Sequence, residues 1–261
     1  MEITEEDFKD PYYFQYAYLN QLLHPKQIEV VRSPAKFKTI KCGRRAGKTQ
    51  LIAGELVRGS VLKLYRKQIL IAPSYKQCLI VFDKILLLME DAGRMDDIRA
   101  VVRNPRPKII FKNKYYIDFG SADQPDTLRG EGYDRIFLDE AGFIKDEALL
   151  AIRPLMFDVG APIWKTSTPW IKNHFYNDWI RGKNGVDGYA SFEYDYRDNP
   201  YLLPEGKAEI EKDIMEYGRD SLYVKVEIFG EFPEEIDVYF SIGLLDGCCD
   251  EYKMIEYSRV I

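Results

Sequence analysis

Cys42-Gly43-Arg44-Arg45-Ala46-Gly47-Lys48-Thr49 decides how the rest of the chain is read. A strand is predicted ahead of it, over Phe37 to Lys41, and a helix behind it, from Thr49 to about Gly59. Gly47-Lys48-Thr49 reads as the end of a phosphate-binding loop. A loop at a helix N-terminus points free backbone N–H groups at an anion, and the helix dipole adds to the attraction. Gly47 lets the backbone approach phosphates closely. Lys48 is placed to reach β- and γ-phosphates and the Thr49 hydroxyl to ligate Mg²⁺. The pattern G-x-x-x-x-G-K-[ST] asks for glycine at position 42, but the chain has Cys42 there and its glycine at Gly43. Taken alone, the motif is therefore also compatible with a chance glycine-rich turn.

Working outward, 261 residues suffice for one large or two small domains. A 46% hydrophobic and 30% charged composition is that of a globular chain. No apolar run approaches the ~20 residues of a membrane span. Met1 to Asp7 lacks the basic and apolar regions of a signal peptide. Cys42, Cys78, Cys248 and Cys249 form no C-x-x-C pair, and only His24 and His174 could assist them. This argues against structural zinc and for a reducing, cytosolic setting. A net charge of −5 argues against broad nucleic-acid coating by the lone chain, while leaving room for a local basic face.

Before the loop, residues 4 to 23 read as helical with a break near Pro11, and Tyr12, Tyr13, Phe14, Tyr16 and Tyr18 read as packing. Pro25 suits a helix start. Gln27 offers a donor and an acceptor that suit an adenine edge, or is an exposed helical glutamine. After the loop, Leu51, Ile52, Leu56 and Val57 form a buried face, and Gln68 to Ala72 a second buried strand. A helix then runs to about Asp91 with Leu79, Phe82, Leu86 and Met89 on one face. Arg99, Arg103, Arg106, Lys108, Lys112 and Lys114 make a basic stretch. Within it Ile109-Ile110-Phe111 and Tyr115-Tyr116-Ile117 flank a turn at Asn113-Lys114, predicting a hairpin. Contact with a phosphate backbone and a lysine-guarded sheet edge are equally good readings of it.

A polar loop from Ser121 to Gly132 leads to Asp134-Arg135-Ile136-Phe137-Leu138-Asp139-Glu140, a buried parallel strand ending in two acids. Acids there fall where an open α/β sheet binds ligands. Asp139 is expected to hold Mg²⁺ through water, and Glu140 to orient and deprotonate an attacking water. An acid pair complementing a helix dipole is the alternative, disfavoured by Lys48-Thr49 upstream in the correct order. Ile163 to Thr166 is another strand, ending in Ser167-Thr168-Pro169, whose hydroxyls could sense a γ-phosphate or merely close a turn. Tyr189 to Tyr194 alternates like a strand. Pro204 to Tyr217 and Asp220 to Ile228 read as two polar helices in a small separate layer. Phe232, Val238 and Phe240 punctuate a tail with little other pattern.

Together, Gly43 to Thr49, Ile71-Ala72-Pro73-Ser74-Tyr75, Leu128-Arg129-Gly130, Ile136 to Ala141 and Ser167-Thr168-Pro169 resemble, in order, the ATPase domain of the large terminase subunit of tailed double-stranded DNA bacteriophages. That family's phosphate loop typically has the displaced glycine. The resemblance implies a RecA-like, ASCE-type P-loop NTPase: a three-layer α/β fold with a mainly parallel sheet and a small helical lid. It implies an ATPase core over 1–195, a lid and linker over 196–235, and a tail over 236–261 leading to a nuclease domain missing from this chain. It implies ATP and Mg²⁺ as cofactors. It also implies double-stranded DNA, a portal and procapsid and the small terminase subunit as partners, and a ring of identical subunits. The setting it implies is the cytoplasm of an infected bacterium, with no membrane. By position, Arg44 matches a γ-phosphate-sensing arginine. Gly43, Arg44, Arg45, Ala46, Gly47, Lys48 and Thr49 match the nucleotide loop, and Thr49 and Asp139 the metal ligands. Glu140 matches the catalytic glutamate, Gln27 the adenine-reading glutamine, and Ser167 and Thr168 the coupling motif. Arg129 matches an arginine finger given to a neighbouring subunit, or else braces the Asp123–Asp126 loop. The rival readings are a helicase-type translocase, which normally needs a second core, and a nucleotide-dependent switch without turnover. A nuclease finds no acid cluster here.

Overall fold

The computed structural model describes residues 7–234. Val238, Phe240, Cys248, Cys249 and the 236–261 tail lie outside the described residues. Eight strands form one sheet: β1 (Phe37–Cys42), β2 (Lys67–Ala72), β3 (Ile98–Val102), β4 (Lys108–Phe111), β5 (Tyr116–Ser121), β6 (Arg135–Asp139), β7 (Ile163–Ser167) and β8 (Tyr189–Tyr194), in the order β3-β4-β5-β2-β6-β7-β1-β8. The six strands from β5 to β8 are parallel, and β3 and β4 add an antiparallel edge. β2, β6 and β7 are buried on both faces because helices and turns cover both, as parallel sheets require.

One face carries α1 (Pro11–Leu19), α2 (Pro25–Arg32), α3 (Lys48–Val61) and α4 (Tyr75–Asp91). The other carries short 3-10 turns, α5 (Leu149–Ile152) and α6 (His174–Lys183). Pro25 opens α2 as expected, and Ser74 caps α4 in a reciprocal box with Gln77. The hairpin forms with Ile109 opposite Ile117.

Three expectations are corrected. The buried face of α4 is Cys78, Val81, Phe82, Ile85, Leu88 and Met89, with Leu79 and Leu86 only partly covered, because α3 and β5 approach from one side. The loop after Ser121 is not uniformly polar: Leu128 is buried, filling the space that Gly120 leaves open on β5. The second polar helix is a short π-helical turn, Val224–Ile228, and it is buried. With α7 (Pro204–Tyr217) it forms a small separate cluster of Tyr196, Val224 and Ile228 under Leu202, Ile210 and Ile214. Among the described residues, no helix is long and apolar enough to cross a membrane.

Candidate active site

The parallel strands deliver the loop, the acids and the hydroxyls to one end of the sheet. β7 sits between the loop strand β1 and the acid strand β6, so Thr166 and Ser167 fall between the phosphate loop and Asp139-Glu140. The loop joins Cys42 to the first turn of α3. Cys42 ends β1 fully buried, and burial pushes its thiol up to about 12, so it is a packing residue. The displaced glycine has a local cause. A Cβ on Gly43 would lie 1.9 Å from the Ile228 carbonyl oxygen, because the π-helical turn crosses the loop backbone there. Gly230, at φ +62°, faces the same crossing from the other side.

The carbonyls of the loop are tied back in sequence. Asn199 Nδ2 donates to Arg45 O at 2.8 Å and Gln27 Nε2 to Gly47 O at 3.0 Å; His24 Nε2 lies 3.2 Å from Ala46 O. With those three carbonyls held, the N–H groups of residues 45–50 have no acceptor among the described residues. That is the state of an anion cradle, and Gly47, at φ +91°, permits the turn. The Gln27 carbonyl oxygen accepts from His24 N at 3.2 Å, so both ends of its amide are engaged within the protein. Gln27 here braces the loop, and reading a base would use its second amide hydrogen or an exchange of these bonds.

Lys48 Nζ lies 3.4 Å from Glu140 Oε1. Burial disfavours its charge, but the Glu140 and Asp139 carboxylates outweigh that and raise its pKa. Thr166 Oγ1 donates to Asp139 Oδ1 at 2.7 Å. Burial, then the Glu140 carboxylate, push Asp139 up to about 6. Glu140 adopts φ +49°, a conformation uncommon for a side-chain-bearing residue and often retained at functional sites. The Ser167 hydroxyl lies 3.2 Å from Glu140 Oε2 and 2.7 Å from Thr168 O, sharing one proton between them.

Arg44, Thr49, Gln77, Asp139, Glu140 and Thr168 line one cavity of about 330 Å³. Beside it, the loop and α7 bound a second of about 790 Å³ that includes Gly43, Arg45 to Gln50, Asn199 and Tyr201, within the usual range for a small-molecule site. No cluster of three acids, His or Cys able to hold a metal exists among the described residues. Mg²⁺ in a phosphate-loop site does not need one: one hydroxyl, one carboxylate, waters and phosphates suffice. Thr49 and Asp139 on one cavity, with Asp139 Oδ2 left over, fit that donor set.

Two expected arginines make their bonds away from the Lys48–Glu140 pair, although Arg44 lines the cavity. The Arg44 guanidinium hydrogen-bonds to Glu227 of the π-helical turn, and Trp170 Nε1 donates to the other Glu227 oxygen. Glu227 thus joins the loop arginine to the segment after Ser167-Thr168. Arg129 is exposed and pairs with Asp126 at 2.9 Å, the bracing arrangement, and makes no bond to the Lys48–Glu140 group. Of the basic stretch, Arg103 pairs with Asp83, Lys108 with Asp118, and Arg106 donates to Tyr133 Oη. Arg99, Lys112 and Lys114 carry no ion pair among the described residues.

The sequence reading missed Glu227, Asn199 and His24. Glu227 lies in a stretch that reads as a solvated helix, but the folded chain buries it against Arg44 and Trp170. His24 did carry a signal, standing directly before Pro25 at a helix cap.

A glycine-rich loop between a parallel strand and a helix, with an acid strand two places away in the sheet, defines a RecA-like P-loop NTPase fold. The family model described as terminase large subunit, T4likevirus-type, N-terminal, matches residues 40–245, and the chain belongs to that family. The large terminase subunit of Thermus phage G20c is 27% identical over 180 residues, covering 62% of this chain and 37% of that protein. That of Escherichia phage T5 is 27% identical over 229 residues, covering 84% and 49%. The chain therefore spans less than half the length of these relatives. In fold it is similar to the large terminase ATPase domain of Thermus phage P74-26, with a TM-score of 0.70, 24% identity and coverage of 84% of this chain and 97% of that one. The large terminase of bacteriophage D6E, solved in complex with ADP, superposes with a TM-score of 0.62 at 16% identity, covering 79% and 52%.

Proposed function

We propose that this chain is the ATP-hydrolysing motor domain of a viral large terminase, driving double-stranded DNA into a procapsid. The observation that carries the chemistry is the convergence of Thr49, Asp139, Glu140 and Thr168 around one cavity at the mouth of the phosphate loop, with Lys48 Nζ 3.4 Å from Glu140 beside it. The free amides of residues 45–50 cradle the phosphates, and Lys48 neutralises charge on the γ-phosphoryl group. Thr49 and Asp139 would hold Mg²⁺, which would supply positive charge to offset that of the phosphates. Glu140 leaves Lys48 for the attacking water and takes up its proton. Ser167, touching Glu140 in the present state, registers that movement, and Glu227 links it through Trp170 to Arg44 and α7. Release of Arg44 from Glu227 delivers a guanidinium to the γ-phosphate side of the cavity. Arg129, exposed at the same end of the sheet, acts on a neighbouring subunit's site in a ring assembled on the portal. The small terminase subunit and a nuclease activity belong to this reading by family. Arg99, Lys112 and Lys114 supply a DNA-facing edge.

Phosphate release from Mg-ATP tests this. Turnover by the wild-type chain that vanishes in Glu140→Gln while ATP still binds is the expected result. ATP binding without release by either protein, across a wide range of protein concentration, would leave a switch rather than a motor.

A further inference from the structure

At the opposite end of the sheet from the nucleotide site lies a cavity of about 380 Å³ whose walls include Lys36, Lys38, Arg58, Tyr65, Arg135 and Trp164. Lys38 and Arg135 are only 3% and 2% exposed. The acid that faces them is Glu55, fully buried, and its carboxylate is saturated. It accepts from Arg58 Nε and an Arg58 terminal nitrogen at 2.8 and 2.9 Å, from Arg135 at 3.0 Å and from Gln15 at 3.0 Å. Asp10, the next acid toward Arg58, is already paired with Arg32. Three buried or nearly buried cations thus share one buried carboxylate, with Lys36 adding a fourth at the mouth.

The donors are not used up. Arg135 is stacked among Tyr65, Phe137 and Trp164, with its carbon centre 4.4–4.9 Å from each ring, yet its Nε–H has no acceptor. Lys38 Nζ donates to Val30 O at 2.7 Å and sits 4.0 Å from the Trp164 ring centre; its other hydrogens have no acceptor among the described residues. Uncompensated buried charge is costly, and the cost is removed by losing a proton or gaining an anion. We propose that this cavity is a binding site for a small phosphate-class oxyanion, with Lys38 and Arg135 as its donors and Lys36 as its gate.

The depth of the two donors selects the ligand. Phosphates within a duplex backbone are held at the rim by their neighbours along the strand, whereas a free or terminal phosphate can descend to residues that are 2–3% exposed. The same imbalance acts on Lys38 when no anion is present. Burial, with Arg135 and Arg58 nearby, pushes it down to about 7 against the pull of Glu55, so anion binding near neutral pH should draw a proton onto it.

The test uses the whole chain carrying Lys48→Ala, which weakens the phosphate loop as a competing anion site. Inorganic phosphate is titrated at constant ionic strength against chloride, with thermal midpoint and calorimetry as readouts. A saturable rise in the midpoint, at least about tenfold weaker when Lys38→Met is added, is expected. Lys36→Ala, on an exposed residue, is the second variant and should weaken binding without altering the fold. A blunt duplex with and without a 5′-phosphate separates the sources. Competition by the phosphorylated duplex alone supports the site with a DNA end as ligand, and no competition supports it with free phosphate. No saturable response in the Lys48→Ala chain, or one unchanged by both Lys38→Met and Lys36→Ala, overturns the proposal.

Discussion

Gly43→Ala is the most direct perturbation of the crossing between the phosphate loop and the π-helical turn. Gly43 has no positive φ, so alanine suits its backbone and the only conflict is with its neighbour. The new Cβ would fall 1.9 Å from Ile228 O and 2.6 Å from Ile228 C, about 1.5 Å short of ordinary contact. Both obstacles are main chain, so no side-chain rotation relieves them. The turn must retreat, and with it go the bond from Arg44 N to Glu227 O at 2.6 Å and the Arg44–Glu227 contact. The backbone bond contributes about 1 kcal/mol. The ion pair, discounted because the Arg44 side chain is 71% exposed, adds about 1 kcal/mol. A loss of about 2 kcal/mol shifts the docked-to-undocked ratio roughly thirtyfold. Hydrogen exchange resolved to peptides should show that loss of protection at residues 224–230 while the strands keep theirs, and ATP turnover should fall. Wild-type protection of that segment together with wild-type turnover would refute the claim that the glycine stands at 43 because the turn crosses there.

Three further outcomes are expected. Ser167→Ala should lower turnover by about tenfold, through loss of one hydrogen bond to Glu140, while leaving ATP affinity near wild type in equilibrium binding; a pure affinity loss would contradict its placement. Glu55 is fully buried, which alone would raise its pKa, but Arg58 and Arg135 hold it down to about 2. Its stabilisation is therefore complete above the unfolded value near 4.5 and lost as pH falls toward 2, on the order of 3 kcal/mol. Acid unfolding followed by circular dichroism should be flatter across that window in Glu55→Gln, which should also be less stable at neutral pH by about 3–5 kcal/mol. Arg129→Ala should abolish the rise in specific ATPase activity with protein concentration without changing the thermal midpoint, because its partner Asp126 is 89% exposed and the pair contributes little; activity linear in concentration in both proteins would remove Arg129 from a neighbour's site.

Much of the fold was legible because its signals are local. β8 and α7 occupy the residues their patterns predict, and β1, β2, β6 and β7 differ by a residue or so at their ends. Buried parallel strands tend to be short apolar runs, as β2 and β6 are at their centres. β3 was not legible. Its residues alternate between half-buried and exposed, with Arg99 and Val101 facing outward, and what makes it a strand is pairing with β4 across the turn. The face of α4 was misjudged by a fraction of a turn for a related reason. Leu79 and Leu86 are as apolar as Ile85 and Leu88, and only the position of α3 and β5 says which side is covered. The site shows the same division. Lys48, Thr49, Asp139 and Glu140 are recognisable as the proposed site because phosphate-loop chemistry would require fixed residue types at the ends of successive elements. Glu227, 183 residues from its partner Arg44, has no such mark.

The amino-acid sequence by itself determined the glycine-rich loop, the acid pair, the hydroxyl motif and their order, hence the α/β class and the end of the sheet where the proposed site lies. Periodicity and loop composition carry that information over a few residues at a time. The tertiary structure alone decided that Gln27, His24 and Asn199 hold back three loop carbonyls, that Arg44 rests on Glu227, and that Lys38 and Arg135 share a cavity with too few acids. Those are matters of which distant groups are desolvated together, and desolvation is a property of the packed chain.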